Sequence, residues 1–301
     1  MIGFRHLALP LFLYLIGPLL AESSFHEYGY ITAETQLFAH PNEEKPLSLR
    51  APRGQRVGVL EREGEWVRVV MQEVFVSSSQ VDPELRIGAE GGDLLFEPDS
   101  SSSPLGTVSP DTPLEGYFGV PYALVDSPFS LSFWMPATSV SVTGLPLRDS
   151  DFVGPDDLSI EPEDFQTIRA LEGLRIVILP TGVSVKPELV SADSGRFGPS
   201  YSLKYDFGGE WFEISCGTDG LGGPTLGVPL YQVQSEVLGK VVVGTMNYGQ
   251  SKELFMFNAP IRDASTADGK PYKLTPFFSC SPGLKEETVR ALLGSLRCVK
   301  L

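Results

Sequence analysis

The feature that most constrains this chain is a repeat within its first half. Ile31-Thr32-Ala33-Glu34 returns as Ile87-Gly88-Ala89-Glu90, Leu37-Phe38 as Leu95-Phe96, Pro46-Leu47 as Pro104-Leu105 and Pro52 as Pro110, the last three at a spacing of 58 residues. Further along the spacing drifts, as loop insertions would make it do. Trp66 falls opposite Tyr122, and VFVSSSQV (74–81) falls opposite WMPATSV (134–140). Self-similarity at this period implies two copies of one fold, residues 28–82 and 84–142. Each copy is built from short β-branched and aromatic segments, in the first copy QRVGVLERE, EWVRVVMQ and EVFVSS. Units of about 55 residues carrying some five such strands are small barrels or sandwiches.

The details of the first copy resemble the bacterial SH3 (SH3b) family. They are a Pro-Leu before a turn, a Gly-x-x-Val-x-Val-Leu strand, Gly64-Glu65-Trp66 where the family has Gly-Trp, and a closing aromatic strand leading into Ser-x-Val. The second copy departs from the pattern: it lacks the Gly-Trp pair and places Pro121 and Ala123 around Tyr122. The resemblance implies small β-barrels that hold peptide or cell-wall material, with no cofactor.

Before the repeat stands a leader. Arg5 and His6 precede an apolar run from Leu7 to Leu20, broken by Pro10, Gly17 and Pro18, and Ala21 is followed by polar residues. The run is short of the roughly 20 apolar residues that a spanning helix needs, so residues 1–21 read as a signal peptide cleaved after Ala21. No second apolar segment of spanning length follows. The mature chain is expected to be secreted or periplasmic, with no transmembrane segment.

Charge narrows the partners. The chain holds 23 Lys+Arg against 38 Asp+Glu, a net charge of −15, and such a surface repels phosphate backbones, so nucleic acid is not an expected partner. Between residues 86 and 164 the only bases are Arg86 and Arg148, while Lys45, Arg50, Arg53, Arg56, Arg62 and Arg68 crowd the preceding stretch. Those arginines alternate with Glu61, Glu63 and Glu65, as solvated strand faces do.

Residues 143–164 are rich in acids, Pro and Gly and read as an acidic linker. Asp149, Asp151, Gly154 and Asp157 match four positions of a calcium loop, but Val153 and Ile160 occupy two where ligands are required, so no metal site is expected. The remainder, 165–301, reads as an α+β domain with a mostly antiparallel sheet. Pro162 suits the first position of a short helix that Gly173 closes. Tyr201, Leu203, Tyr205 and Phe207 alternate with polar residues along one strand. A terminal helix is predicted from Ser281-Pro282, with Val289, Leu292, Leu293 and Leu296 on its buried face. From Leu174 onward the chain also resembles a group of envelope domains found in cyanobacteria and other bacteria. The shared features are LPTGVSV, a Tyr-x-Leu-x-Tyr strand, WFEIS before a Gly-rich loop, SEVLGKVVV and a late Cys before a capped helix. No activity is established for that group. Relatives carry a cysteine where this chain has Trp211.

The residues argue against catalysis. The histidines are His6, His26 and His40, all outside 165–301, so a His-dependent nucleophile or zinc site within that domain is impossible. CGTDGLGGPTLGVP (216–229) lacks the Lys of a phosphate-binding loop and reads as a long turn or a ligand-shaping loop. Asp206, Glu210, Glu213 and Asp219 lie close enough in sequence to raise acid-only glycan hydrolysis. Trp134 and Trp211 are candidates for stacking on a ligand, with Trp211 on the face opposite Phe212, Ile214 and Cys216.

The three cysteines allow at most one internal bridge. A helix between Cys280 and Cys298 would hold them too far apart to pair. Cys216 to Cys280 is then favoured, partly because the envelope relatives carry a cysteine near position 280. Cys216 to Cys298 and three buried thiols are the alternatives. The expected protein is an exported, non-enzymatic envelope component that binds a protein or cell-wall ligand. A structural or assembly subunit and an acid-only hydrolase are the rivals, and no oligomeric state is implied.

Overall fold

The computed structural model describes residues 27–157, 159–196, 198–218, 226–246, 253–263 and 272–301. The leader, His6, His26, Asp219 and most of the Gly-rich loop lie outside them. The fold is mostly β, with antiparallel sheets and, among the described residues, two α-helices, one near the C-terminus.

Strand pairing runs across the boundary between 28–82 and 84–142 in both directions. The first sheet has the order Ser132–Pro136, Trp66–Met71, Arg56–Glu63, Glu27–Ile31, Val140–Ser141. The second has the order Gly106–Val108, Gly92–Leu95, Val74–Ser77, Tyr122–Val125, Gly116–Tyr117. Val74–Ser77 of the first half thus completes the second sheet, with Val125 opposite Val74. Ser132–Pro136, its counterpart, completes the first sheet, with Pro136 opposite Trp66.

The exchange takes place at a short connection. Only Gln72 and Glu73 separate Met71 from Val74, and a two-residue hairpin of type I′ would need positive φ at both, the Asn-Gly habit. Glu73 alone has it, at φ 56°, and the chain turns away instead of doubling back. The two crossing connections then hold each other. Glu73 N–H donates to Asp126 Oδ1 at 2.9 Å, Met71 N–H to Ser127 Oγ at 3.0 Å, and Ser127 N–H to Met71 O at 2.9 Å. Buried side chains of both sheets, among them Ile31, Val57, Val69, Met135, Val76, Leu94 and Val125, form one continuous cluster.

The third sheet follows the order Glu188–Asp193, Ser200–Asp206, Trp211–Gly217, Tyr272–Cys280, Leu254–Asn258, Gly239–Met246, Leu226–Ser235. Tyr201, Leu203 and Tyr205 alternate inward as their spacing predicts, and so do Phe212, Ile214 and Cys216. Their inner face is covered by helices Pro162–Arg169 and Glu286–Gly294 and by a pair of strands, Ile176–Pro180 and Leu296–Lys300. Pro162 stands in the first turn of its helix, as expected.

Two expectations change here. The terminal helix, expected from Ser281-Pro282, starts only at Glu286 and ends at Gly294, and Leu296–Lys300 is a strand on Ile176–Pro180. Leu296 is buried in either conformation, so helical spacing could not separate them; Gly294 weakens the helix and the alternating Leu296, Cys298 suits a strand. Residues 143–164 are not a free linker. Leu145–Pro146 pairs in parallel with Ile261–Asp263, and Leu145 and Asp151 are buried.

The third sheet docks on the first two through two turns that approach backbone to backbone. Lys240 N–H donates to Arg53 O at 2.8 Å. Gly54 has φ 83° and Gly239 φ 67°, and a Cβ on Gly239 would stand 2.5 Å from Arg53 O and 2.8 Å from Gly54 Cα. Arg53, 7 % exposed, donates from Nη1 to the carbonyls of Glu236 and Val237 at 2.7 and 2.6 Å, from Nη2 to Pro146 O at 3.0 Å and from Nε to Thr32 O at 3.1 Å. Asp151 lies 4.0 Å from the same guanidinium. Lys240, 3 % exposed, donates from Nζ to Gln55 Oε1 at 2.9 Å and to the carbonyl of Glu73, at the strand crossing itself. Beside these bonds Val242 of the third sheet packs on Phe75, Leu95 and Leu124 of the second.

Substitution at Gly239 tests the close approach. Gly182 also has positive φ, 69°, but has open space where a Cβ would stand, so Gly182→Ala should cost about 1 kcal/mol from backbone strain alone. Gly239→Ala adds the clash with Arg53 and Gly54 and should cost about 3 kcal/mol or more. Urea unfolding of the two variants measures the difference, and equal costs would mean that the turns do not meet.

Candidate functional site

The outer face of the first sheet carries a row of side chains that the core does not use. Val67, Val69, Phe133 and Met135 point inward, so Trp66, Arg68, Trp134 and Pro136 point out. Phe38 joins this row from the preceding loop. Its N–H donates to Trp134 O at 2.9 Å and its carbonyl accepts from Trp134 N–H at 2.8 Å. That pairing sets the Phe38 ring edge-on to Trp66, with centroids 4.9 Å apart and planes at 82°. Asn42, held at φ 62°, accepts the indole Nε1–H of Trp66 at 3.0 Å and fixes the ring. Pro136 stands opposite Trp66 in the neighbouring strand, and Ala137 N–H donates to Glu65 O at 2.8 Å beyond it.

Phe38, Trp66 and Pro136 are each half-buried, whereas Trp134 is 8 % exposed beneath them. The result is a rigid aromatic edge with an amide beside it, suited to stacking and to peptide-like polar contacts. No nucleophile or base belongs to it; His40 is exposed in the adjoining loop. Of the two tryptophans that the sequence offers for stacking, Trp134 is buried here and Trp211 lies on the third sheet; Trp66 is marked in the sequence only as a repeat and family-like position. None of Phe38, Asn42, Trp66 and Pro136 is read as a site from the sequence, because Pro136 arrives on the exchanged strand and Phe38 and Asn42 come from a loop earlier in the chain.

The other sequence-predicted residues are dispersed. Trp211 is half-buried on the outer face of the third sheet, where Lys204 Nζ lies 5.1 Å from its ring centroid. The Asp206 carboxylate accepts N–H bonds from Gly208 and Gly209 at 2.8 and 2.9 Å, which hold it below the usual carboxylate range and make it the pin of a turn. Glu213 accepts from Ser215 Oγ at 3.3 Å in its own strand, and Glu210 lies against Gly283. Asp151, from the calcium-like stretch, is bound by Arg148 at 2.7 Å, and its carboxylate also accepts the Arg148 N–H at 2.8 Å. Among the described residues no group of three His, Cys, Asp or Glu could hold a metal ion.

Cys216 and Cys280 are not bonded to each other in this structure. In the ladder between Trp211–Gly217 and Tyr272–Cys280, Cys216 lies opposite Pro276 while Cys280 lies opposite Phe212. Four residues of strand separate the two, about 13 Å at some 3.3 Å per residue, and a bridge needs Cα atoms within about 7 Å. Residue types place both cysteines in adjacent strands, but only the register sets the offset. All three cysteines are free and buried. Burial pushes the Cys216 and Cys280 thiols up to about 12 and Cys298 higher still, so none is a ready thiolate.

No known protein family matches the chain, nor does any curated protein or any solved structure.

The thiols give a direct check. Ellman's reagent should find none in the native protein and three after denaturation without reductant. Cys280→Ser should shift the melting temperature equally in oxidising and reducing buffers, and a peptide linked from Cys216 to Cys280 would overturn the register.

Proposed function

We propose that the protein is an exported, non-enzymatic component of the bacterial envelope and that its first sheet binds peptide or cell-wall material on the edge formed by Phe38, Trp66 and Pro136. The observation that carries this reading is the Trp66 indole, held by Asn42 and Phe38 in a fixed orientation while still half exposed. A large ring already immobilised loses little conformational entropy on stacking, which is the economy of aromatic recognition surfaces. The SH3-like reading is supported by the strand order of the first sheet, by the short 3-10 turn Ala137–Ser139 between its last two strands and by the place of Trp66 at the start of a strand. The leader supports export, and the absence of histidine from 165–301 supports binding over catalysis. Partners are expected to be protein or glycan-peptide polymers; nucleic acid is disfavoured by the net charge of −15.

Co-sedimentation with purified peptidoglycan, and calorimetric titration with its stem peptides, tests the reading. Trp66→Ala should weaken binding at least tenfold, on the order of the ~2 kcal/mol lost when an aromatic anchor is truncated. Trp211→Ala should leave it unchanged. Equal binding by both variants, or release of glycan products by the wild type, would contradict the proposal.

A further inference from the structure

A second site, independent of that aromatic edge, lies between the first and third sheets, where a cleft of about 420 Å³ opens. Strand register makes it. Leu254–Asn258 pairs with Tyr272–Cys280 only through Leu254, Phe255 and Met256. Beyond Met256 the neighbouring strand offers Pro276, which has no N–H to continue the ladder, and the sheet splits. Asn258 Nδ2 spans part of the gap, donating to Ala259 O at 3.0 Å and Pro276 O at 3.3 Å.

One wall is apolar, built from Met256, Phe257, Pro276 and Phe277. The facing wall comes from Tyr30, Arg56 and Glu73, with the buried Lys240 at the join. This polar wall has more donors than acceptors. The Arg56 side chain is 38 % exposed and spends Nη1 on Glu73 Oε1 at 3.2 Å. Its guanidinium lies 4.6 Å over the Tyr28 ring, and its Nε, itself buried, has no hydrogen-bond partner among the described residues, so a ligand meets the exposed end of the guanidinium. The Tyr30 hydroxyl adds another donor. Against the two cations of the lining stands the single carboxylate of Glu73, so the lining itself carries one net positive charge; Asp126 and Glu97 act on Lys240 from outside it.

We infer that this cleft binds a small organic monocarboxylate with a flat apolar body, its carboxylate on Arg56 and Tyr30 and its body on Phe257 and Phe277. The volume lies in the lower part of the range of about 300–1,000 Å³ typical of small-molecule sites. A single carboxylate balances the one net positive charge of the lining, which a phosphate dianion would exceed and a neutral ligand would leave unmatched.

Calorimetric titration with indole-3-acetate and 3-phenylpropionate, each beside its neutral amide, tests the assignment. The acids should bind saturably and the amides about tenfold more weakly, the difference between charged and neutral hydrogen bonds. Arg56→Gln should reduce acid binding about tenfold and leave the amides unchanged, while Phe277→Ala should weaken both. Lys240 is left intact because its ammonium also holds Gln55 and Glu73. Melting curves of both variants establish that they fold. Absence of saturable binding by either acid, equal affinity for acid and amide, or indifference to Arg56→Gln would each overturn the inference.

Discussion

The structure depends on the contact between two turns, Pro52–Gln55 and Ser235–Lys240, brought close enough that neither glycine at its centre can carry a side chain. Among the described residues, the hydrogen bonds of Arg53 and Lys240 join the first sheet to the third at this contact. Arg53 satisfies four carbonyls from three separate segments, and Asp151 and Arg148 stand behind it. Burying a guanidinium costs several kcal/mol unless its donors are answered; here each answered donor also fixes a piece of backbone.

Lys240 extends the same contact to the strand crossing. Burial pulls its ammonium down to about 8 from 10.5, while the acids Glu73, Glu97 and Asp126 oppose that fall. Asp126 is displaced the other way, to about 6 from 3.8, chiefly by its own burial, although the Glu73 N–H stabilises its charged form. The crossing connections of the first two sheets are therefore held from one side by Asp126 and Ser127 and from the other by a lysine of the third sheet. The aromatic edge is a consequence, since Pro136 reaches Trp66 only because the Ser132–Pro136 strand has been exchanged.

Much of this was legible in local pattern. Alternation placed Tyr201, Leu203, Phe212, Ile214 and Cys216 inward and Trp211 outward, and Pro162 marked its helix, because a pleat and a helix turn impose their periods residue by residue. What depended on partner choice was not legible. A repeat specifies which strands are alike but not which copy a strand completes, and the exchange takes place at two residues, Gln72 and Glu73, whose types give little warning. Register likewise decided the cysteines: Cys216 and Cys280 do lie in neighbouring strands, offset by four residues. Acid-rich composition suggested a linker at 143–164, yet Leu145 and Asp151 are buried there, the acid tolerated because Arg148 and Arg53 surround it. Of the aromatic edge, Trp66 and Phe38 were visible as repeat positions but not as a site, and the stacking candidates read from the sequence, Trp134 and Trp211, lie elsewhere; the cleft, formed between distant segments, had no sequence signature.

The claim on which the rest stands is that docking through Arg53, Gly54, Gly239 and Lys240 makes the three sheets one cooperative structure. Scanning calorimetry of the intact protein at neutral pH measures this most directly. A single transition, with calorimetric and van't Hoff enthalpies in agreement, is the expected result. Two resolved transitions, one for the paired sheets and one for the third sheet, would contradict it.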